Sequence, residues 1–307
     1  MPRPIIIDTD PGIDDAVAIL LALASPELEV LGLVAVAGNV PLAATSRNAG
    51  ALVELAGRPD IGVYAGCPRP IGPNRLDAER AHGASGLGDL VLPEPAQPVR
   101  PEHGVLWLIE TLRAAEPGSI TLCALGPLTN IATALVMAPE ITAGIAELVL
   151  MGGASHWRGN VTPAAEFNIH ADPQAAAIVF GSGIPITMVP LDVTMSVRST
   201  QERIAPIRSV NSRVGAAVAE LLGPRRSLGK APMAMHDPCV IAYLLMPELF
   251  GGRRVNVAIE TESRLAVGMT LIDWGGRSGR PANAQVLDTG DSDGIYRLLA
   301  ERLARLP

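Results

Sequence analysis

Four aspartates fall within eight residues of one another near the start of the chain, in Asp8-Thr9-Asp10-Pro11-Gly12-Ile13-Asp14-Asp15. The apolar run Ile5-Ile6-Ile7 precedes them and Ala16-Val17-Ala18-Ile19-Leu20-Leu21 follows. That pattern predicts a buried strand, a tight turn at Pro11-Gly12 and a helix opening at Asp14-Asp15. Carboxylates crowded at the end of a strand repel one another unless a cation or a helix N-terminus offsets their charge. A helix dipole accounts for Asp14 and Asp15 as ordinary first-turn acids, but Asp8 and Asp10 precede the turn. Carboxylate oxygens from both sides of one turn suit a hard cation such as Ca²⁺ or Mg²⁺. A metal site is therefore expected.

The rest of the chain alternates strand and helix patterns. Strands are expected at 28–37, 61–64, 120–125, 148–151, 184–189, 253–273 and 284–288. Helices are expected at 41–56, 102–115, 128–137, 201–207, 214–222 and 293–304, and after Asp172-Pro173 and Asp237-Pro238. Alternating βα units imply a doubly wound, mostly parallel α/β sheet. Residues 65–100, 152–170 and 223–236 read as long irregular segments. Such segments in a compact domain are usually functional. With no linker, repeat or low-complexity tract, residues 1–307 are expected to form one domain.

Composition removes several classes of function. A net charge of −7 argues against nucleic acid or an anionic membrane surface as partner. No apolar run approaches the roughly 20 residues needed to span a bilayer. Cys67, Cys123 and Cys239 are odd in number and widely spaced. They suit reduced thiols better than disulfides or a zinc site, and with no signal peptide visible the expected location is the cytoplasm.

In a doubly wound sheet the ligand sits beyond the carboxyl ends of the strands. Collecting the polar residues that follow strands gives the Asp8–Asp15 cluster, Asn39, the Leu125-Gly126-Pro127 turn, the 152–168 loop and His236-Asp237. Acids, amides and one histidine, without lysine, suit a polyhydroxylated ligand. The glycine-rich His82-Gly83-Ala84-Ser85-Gly86-Leu87-Gly88 lacks the Lys-Ser/Thr of a phosphate loop.

The cluster Asp8-Thr9-Asp10-Pro11-Gly12-Ile13-Asp14-Asp15-Ala16 resembles the N-terminal signature of the inosine-uridine preferring nucleoside hydrolases. The resemblance continues, in order, through Gly38-Asn39, His82-Gly83, Gly126-Pro127-Leu128-Thr129-Asn130, Met151-Gly152-Gly153, Glu166-Phe167-Asn168 and His236-Asp237-Pro238-Cys239. It implies that family's Rossmann-like fold and hydrolysis of the N-glycosidic bond of ribonucleosides, with a bound Ca²⁺. It also implies assembly as a homodimer or homotetramer.

Carried onto this chain, the resemblance gives Asp10, Asp15, Asp237 and the backbone carbonyl of Leu125 as calcium ligands. Asp10 would also be the general base for the attacking water. Asp14, Asn39 and Asn168 would bind ribose hydroxyls, Asn160 and Glu166 the 5′-hydroxyl, and Met151 would pack near the sugar. Asp8 would orient the turn from behind. Cleavage through an oxocarbenium-like ribosyl cation also needs a proton for the leaving base. His236, beside Asp237, is expected to supply it, with His82 as a second contributor.

Other residues have ordinary explanations. Asp172-Pro173 reads as an N-cap followed by proline in the first turn, and Asp237-Pro238 would cap and bind metal together. His103 and His170 read as structural or surface groups, and His156 is given no role. The loop 223–235 contains no aromatic residue to stack on a purine, although Arg225 and Arg226 lie within it. Pyrimidine ribonucleosides, uridine first, are therefore the expected substrates, with inosine as the alternative. A phosphotransferase of the haloacid dehalogenase type would share the pair Asp8 and Asp10, but has Thr or Val where Gly12 stands. A silent nucleoside-binding protein is the third class weighed.

Overall fold

The computed structural model describes residues 1–73, 85–223 and 232–307. Among the described residues, nine strands form one sheet in the order β3-β2-β1-β4-β5-β6-β9-β7-β8. They are β1 (Arg3–Thr9), β2 (Leu28–Ala35), β3 (Val63–Ala65), β4 (Ile120–Ala124), β5 (Ile145–Met151), β6 (Ile186–Val189), β7 (Phe250–Ile259), β8 (Thr270–Asp273) and β9 (Ala284–Gly290). Every pairing from β3 across to β9 is parallel, while β7 runs antiparallel to both β8 and β9. The expected doubly wound α/β architecture is what forms. The single stretch expected over 253–273 is instead two strands, β7 and β8.

The apolar run at the start of the chain shows why the layers form where they do. Side chains alternate across a strand, so Ile5 and Ile7 enter the core on one face and Ile6 enters the core on the other. On the first face lies the helix Ile13–Leu23, all of whose residues are buried. Beyond Asp15 its sequence is apolar on every side because it packs on β2, on Leu42–Leu55, on Arg213–Leu221 and on Pro238–Leu245. The helix Gly104–Ala114 covers β2 and β3 on the opposite face.

Chain order places the site. From β1 the chain winds through β2 to β3, then returns past β1 to β4 and continues the other way. The carboxyl ends of β1 and β4 therefore flank the point where the winding reverses, the usual ligand crevice of such a sheet. Asp10 follows β1, and Leu125-Gly126 follows β4.

Two short helices were not legible from periodicity. Phe167–Ala171 interrupts the expected 152–170 loop, with Glu166 as its N-cap. Leu191–Thr194 is a single turn directly after β6. The described parts of 65–100 hold turns and bends, closed by a bridge from Arg100 to Tyr64. That segment packs against the Asp8–Asp15 turn, because Asn48 Nδ2 donates to both the Pro11 carbonyl (3.0 Å) and the Ser85 carbonyl (2.8 Å). His82, Arg225 and Arg226 lie outside the described residues. Cys67, Cys123 and Cys239 are all unpaired. No described helix is long and apolar enough to cross a membrane.

Candidate active site

The turn after β1 is built by its own carboxylates. Asp15 accepts from the Gly12 backbone N–H at 3.0 Å and from the Thr9 hydroxyl at 2.6 Å. The side chain that opens the helix thus also locks the turn before it. Asn39, arriving after β2, donates its backbone N–H to Asp10 Oδ2 at 2.7 Å. Its Nδ2 reaches the Asp10 carbonyl and Asp15 Oδ2, each at 3.1 Å. Asp10 is completely buried, and its Oδ1 has no hydrogen-bond partner among the described residues.

Glycine makes room for this carboxylate. A Cβ on Gly38 would overlap Asp10 Oδ2, and one on Gly126 would overlap Asp10 Oδ1. Gly38-Asn39 and Gly126-Pro127 therefore act as two walls of one slot. Both turns were expected from the positions after β2 and β4, and the structure brings them onto the same side chain.

Carboxylate oxygens of Asp14, Asp15 and Asp237 converge within 4.8 Å of one another, and all three residues are buried. Asp14, expected at the sugar, thus joins the two expected ligands Asp15 and Asp237. Burial pushes Asp237 well above the usual carboxylate range, and repulsion from Asp14, Asp15 and Asp10 adds to it. Asp10 is raised in the same way, by burial and then by Asp15, against the pull of the Asn39 N–H. Among the described residues, the charges that raise Asp237 are those of Asp14, Asp15 and Asp10. Buried like charges of this kind call for a compensating cation, and the donors are all hard oxygens. Asp237 begins the helix Pro238–Leu245 but makes no side-chain cap hydrogen bond. The expectation that it caps is corrected: its carboxylate is turned to the acid cluster instead.

The sugar-side residues gather around β5 and the helix Phe167–Ala171. Asn168 Nδ2 donates to the carbonyls of Leu125 (2.8 Å) and Met151 (3.1 Å) and lies 3.6 Å from Met151 Sδ. Glu166 is buried and accepts from the backbone N–H of Gly153 (2.9 Å), Asn168 (2.9 Å) and Ile169 (3.3 Å). Burial outweighs these donors and raises its pKa to about 7. Asn160 is exposed, and its Oδ1 receives the Phe167 N–H at 2.9 Å.

Asp8 points elsewhere. Its Oδ2 accepts from Asn130 Nδ2 at 2.8 Å, and the Asn130 Oδ1 in turn holds the Cys67 N–H at 2.7 Å. Burial pushes Asp8 to about 7. It braces the β1 end from behind the cluster. Asp172 caps Pro173–Phe180 as expected, accepting from Ala175 N at 3.1 Å. His103 is an N-cap, His170 bonds the Val267 carbonyl at 3.1 Å, and His156 is exposed and stacks on Trp274.

His236 is half-buried, and its Nδ1 lies 2.7 Å from Thr194 Oγ1. Thr194 was not among the expected site residues, nor was Asp192 on the same turn. Asp192 collects the backbone N–H groups of Ser155 (2.8 Å), His156 (2.7 Å) and Trp157 (2.9 Å). The rule that polar residues following a strand converge on the site applies equally after β6 and would have found both.

A family model described as inosine-uridine preferring nucleoside hydrolase matches residues 5–297. The chain belongs to that family. It is an enzyme, a nucleoside hydrolase, and the haloacid dehalogenase and silent-binder readings are set aside. Among curated relatives, an uncharacterized protein of Schizosaccharomyces pombe is 49% identical over 99% of both chains. A pyrimidine-specific ribonucleoside hydrolase of Photobacterium profundum is 46% identical over 99% of both. Among solved structures, a purine-preferring ribonucleoside hydrolase from Gardnerella vaginalis is 31% identical, covers 98% of both chains and has a TM-score of 0.89.

Proposed function

We propose that this nucleoside hydrolase cleaves pyrimidine ribonucleosides, uridine foremost, to ribose and free base, with Ca²⁺ bound at the acid cluster. The observation that carries the reading is the buried Asp10 carboxylate, one oxygen tied to Asn39 and the other without a partner among the described residues, within electrostatic reach of the Asp14, Asp15 and Asp237 cluster. Asp10, Asp15, Asp237 and the Leu125 carbonyl would hold the ion, with Asp14 close enough to share it. The Leu125 oxygen already accepts from Asn168 and keeps a second lone pair. When bound, a hard dication supplies charge balance for the acids and acidity to the attacking water.

This chain's residues do the rest. Asp10 takes the proton from water as oxygen attacks the anomeric carbon. The C–N bond breaks with its electron pair going to the base, and His236 returns a proton to a ring nitrogen or oxygen of that base. Asn39 and Asn168 spend their amide N–H groups on protein oxygens. Their carbonyl oxygens are left to receive ribose hydroxyls. Asn160 has the reverse disposition, with Oδ1 occupied and its amide hydrogens available for a 5′-hydroxyl beside Glu166. Met151 packs against the sugar, and His82 is kept as a second proton source.

The 46% identity to a pyrimidine-specific enzyme favours pyrimidines. The purine-preferring structural neighbour supports inosine as the second reading at a lower identity of 31%. We place the enzyme in the cytoplasm as a single-domain homodimer or homotetramer. A panel of ribonucleosides assayed for free ribose, with Ca²⁺ and with chelator, tests the assignment. Release from uridine that depends on Ca²⁺ is expected. Faster release from adenosine than uridine refutes the base preference, and full activity in chelator refutes the metal.

A further inference from the structure

The turn after β6 carries a residue whose chemistry matches the needs of a proton donor. Thr194 is completely buried on the helix Leu191–Thr194, with its backbone N–H donating to the Pro190 carbonyl at 3.2 Å. Its hydroxyl lies 2.7 Å from His236 Nδ1. At that distance the hydroxyl and the ring nitrogen form one hydrogen bond, and the tautomer of the ring decides which of them donates.

We propose that Thr194 is a positioning residue that holds the His236 ring by Nδ1 and so makes Nε2 the nitrogen that delivers the proton to the leaving base. The proposal rests on His236 being the acid in the reading above. An imidazolium carries hydrogen on both nitrogens. In that state Nδ1–H donates to Thr194 Oγ1, and the hydrogen on Nε2 is the one given to the departing base. As the C–N bond breaks, the proton moves from Nε2 to the base, and the neutral ring keeps its hydrogen on Nδ1, still bonded to Thr194. A backbone carbonyl could serve only a protonated Nδ1, and a backbone N–H only a bare one. A hydroxyl can accept from Nδ1–H or donate to its lone pair, so the ring stays aimed in either tautomer.

The anchor is itself fixed. Asp192, two residues earlier on the same turn, is bound by three successive backbone N–H groups of the loop after β5. Ordering of that loop and aim of the histidine thus share one turn of helix.

The test compares Thr194→Val, which keeps the shape and removes the hydroxyl, with Thr194→Ser, which keeps the hydroxyl. Each is assayed on uridine and on p-nitrophenyl riboside, whose leaving group needs no proton. Thr194→Val is expected to lower kcat on uridine by about 10- to 100-fold, with KM unchanged within about twofold. It should spare p-nitrophenyl riboside, and Thr194→Ser should recover most of the uridine rate. In a His236→Ala background, Thr194→Val should cause no further loss on uridine. Equal losses on both substrates, an additive loss in that background, or a serine variant as impaired as the valine one overturns the proposal. His236→Ala alone separates the two claims. If it discriminates between the substrates and Thr194→Val does not, only the positioning role falls. If it does not discriminate, the acid assignment falls as well.

Discussion

Asn39 donates its backbone N–H to Asp10 Oδ2 at 2.7 Å, and the opposite oxygen of the same carboxylate meets no donor among the described residues. One side of Asp10 is thus fixed by the chain and the other is left for water or cation. That clamp and the slot walls fix the carboxyl's orientation, and a base must be aimed before its pKa matters. Asp10→Ala removes base and ligand together, and turnover of uridine should fall by about 100-fold or more. Steady-state rates on purified variant with saturating Ca²⁺ check this, and retention of most activity would sink the assignment.

The slot around Asp10 makes a second demand. Gly126→Ala would drive its methyl into Asp10 Oδ1, with Val36 Cγ1 also only 3.1 Å away. Overpacking of this kind typically costs about 1–3 kcal/mol, and here the group displaced is the reacting one. The variant should keep its fold, read by circular dichroism, yet lose kcat far beyond the change in melting temperature. A melting loss with normal kcat would show that Asp10 tolerates displacement.

Glu166 gives a pH dependence whose sign follows from burial. Its pKa is raised from the usual 4.5 to about 7. The folded state therefore binds the proton more tightly than the unfolded state. The associated stability is fully present below about pH 4.5 and is lost as pH rises through about 7. At about 1.4 kcal/mol per pKa unit the span is on the order of 3 kcal/mol. Glu166→Gln removes the titration and should flatten the stability profile across this window. It also puts an amide where Gly153 and Ile169 donate, so about 1–2 kcal/mol of capping should be lost at every pH. Denaturant midpoints from pH 4.5 to 7.5 give the comparison. Parallel curves for the two proteins would refute the titration.

Much of this site could be read in the sequence because its residues follow strands. Asp10, Asn39, Leu125-Gly126 and Met151 sit at the ends of β1, β2, β4 and β5, where a doubly wound sheet collects its ligand contacts. Bond directions were not legible. Nothing in the pattern says that Asn39 and Asn168 turn their amide hydrogens onto protein oxygens, or that Asp237 leaves its helix uncapped. Thr194 lies on a helix of only four residues, too short to show a 3.6-residue period, so only its place after β6 could have marked it. The same brevity hid Phe167–Ala171.

Asp14, Asp15 and Asp237 bring three buried carboxylates together. Burial and mutual repulsion both oppose ionisation of Asp237. In chelator, therefore, Asp237→Asn relieves repulsion among buried acids and should match or exceed the melting temperature of the unmodified protein. With Ca²⁺ the order should reverse. A ligand that binds only the folded state stabilises it by about 2.7 kcal/mol at 100 times its Kd, and the variant has lost a ligand. Ca²⁺ should raise the melting temperature of the unmodified enzyme in a concentration-dependent way and leave Asp237→Asn nearly unmoved. Zn²⁺, which prefers nitrogen and sulfur donors, should do less at the same concentration. An equal Ca²⁺ response in both proteins would place the ion away from Asp237. A variant that melts well below the unmodified protein in chelator would mean that Asp237 already has a favourable partner in the metal-free fold.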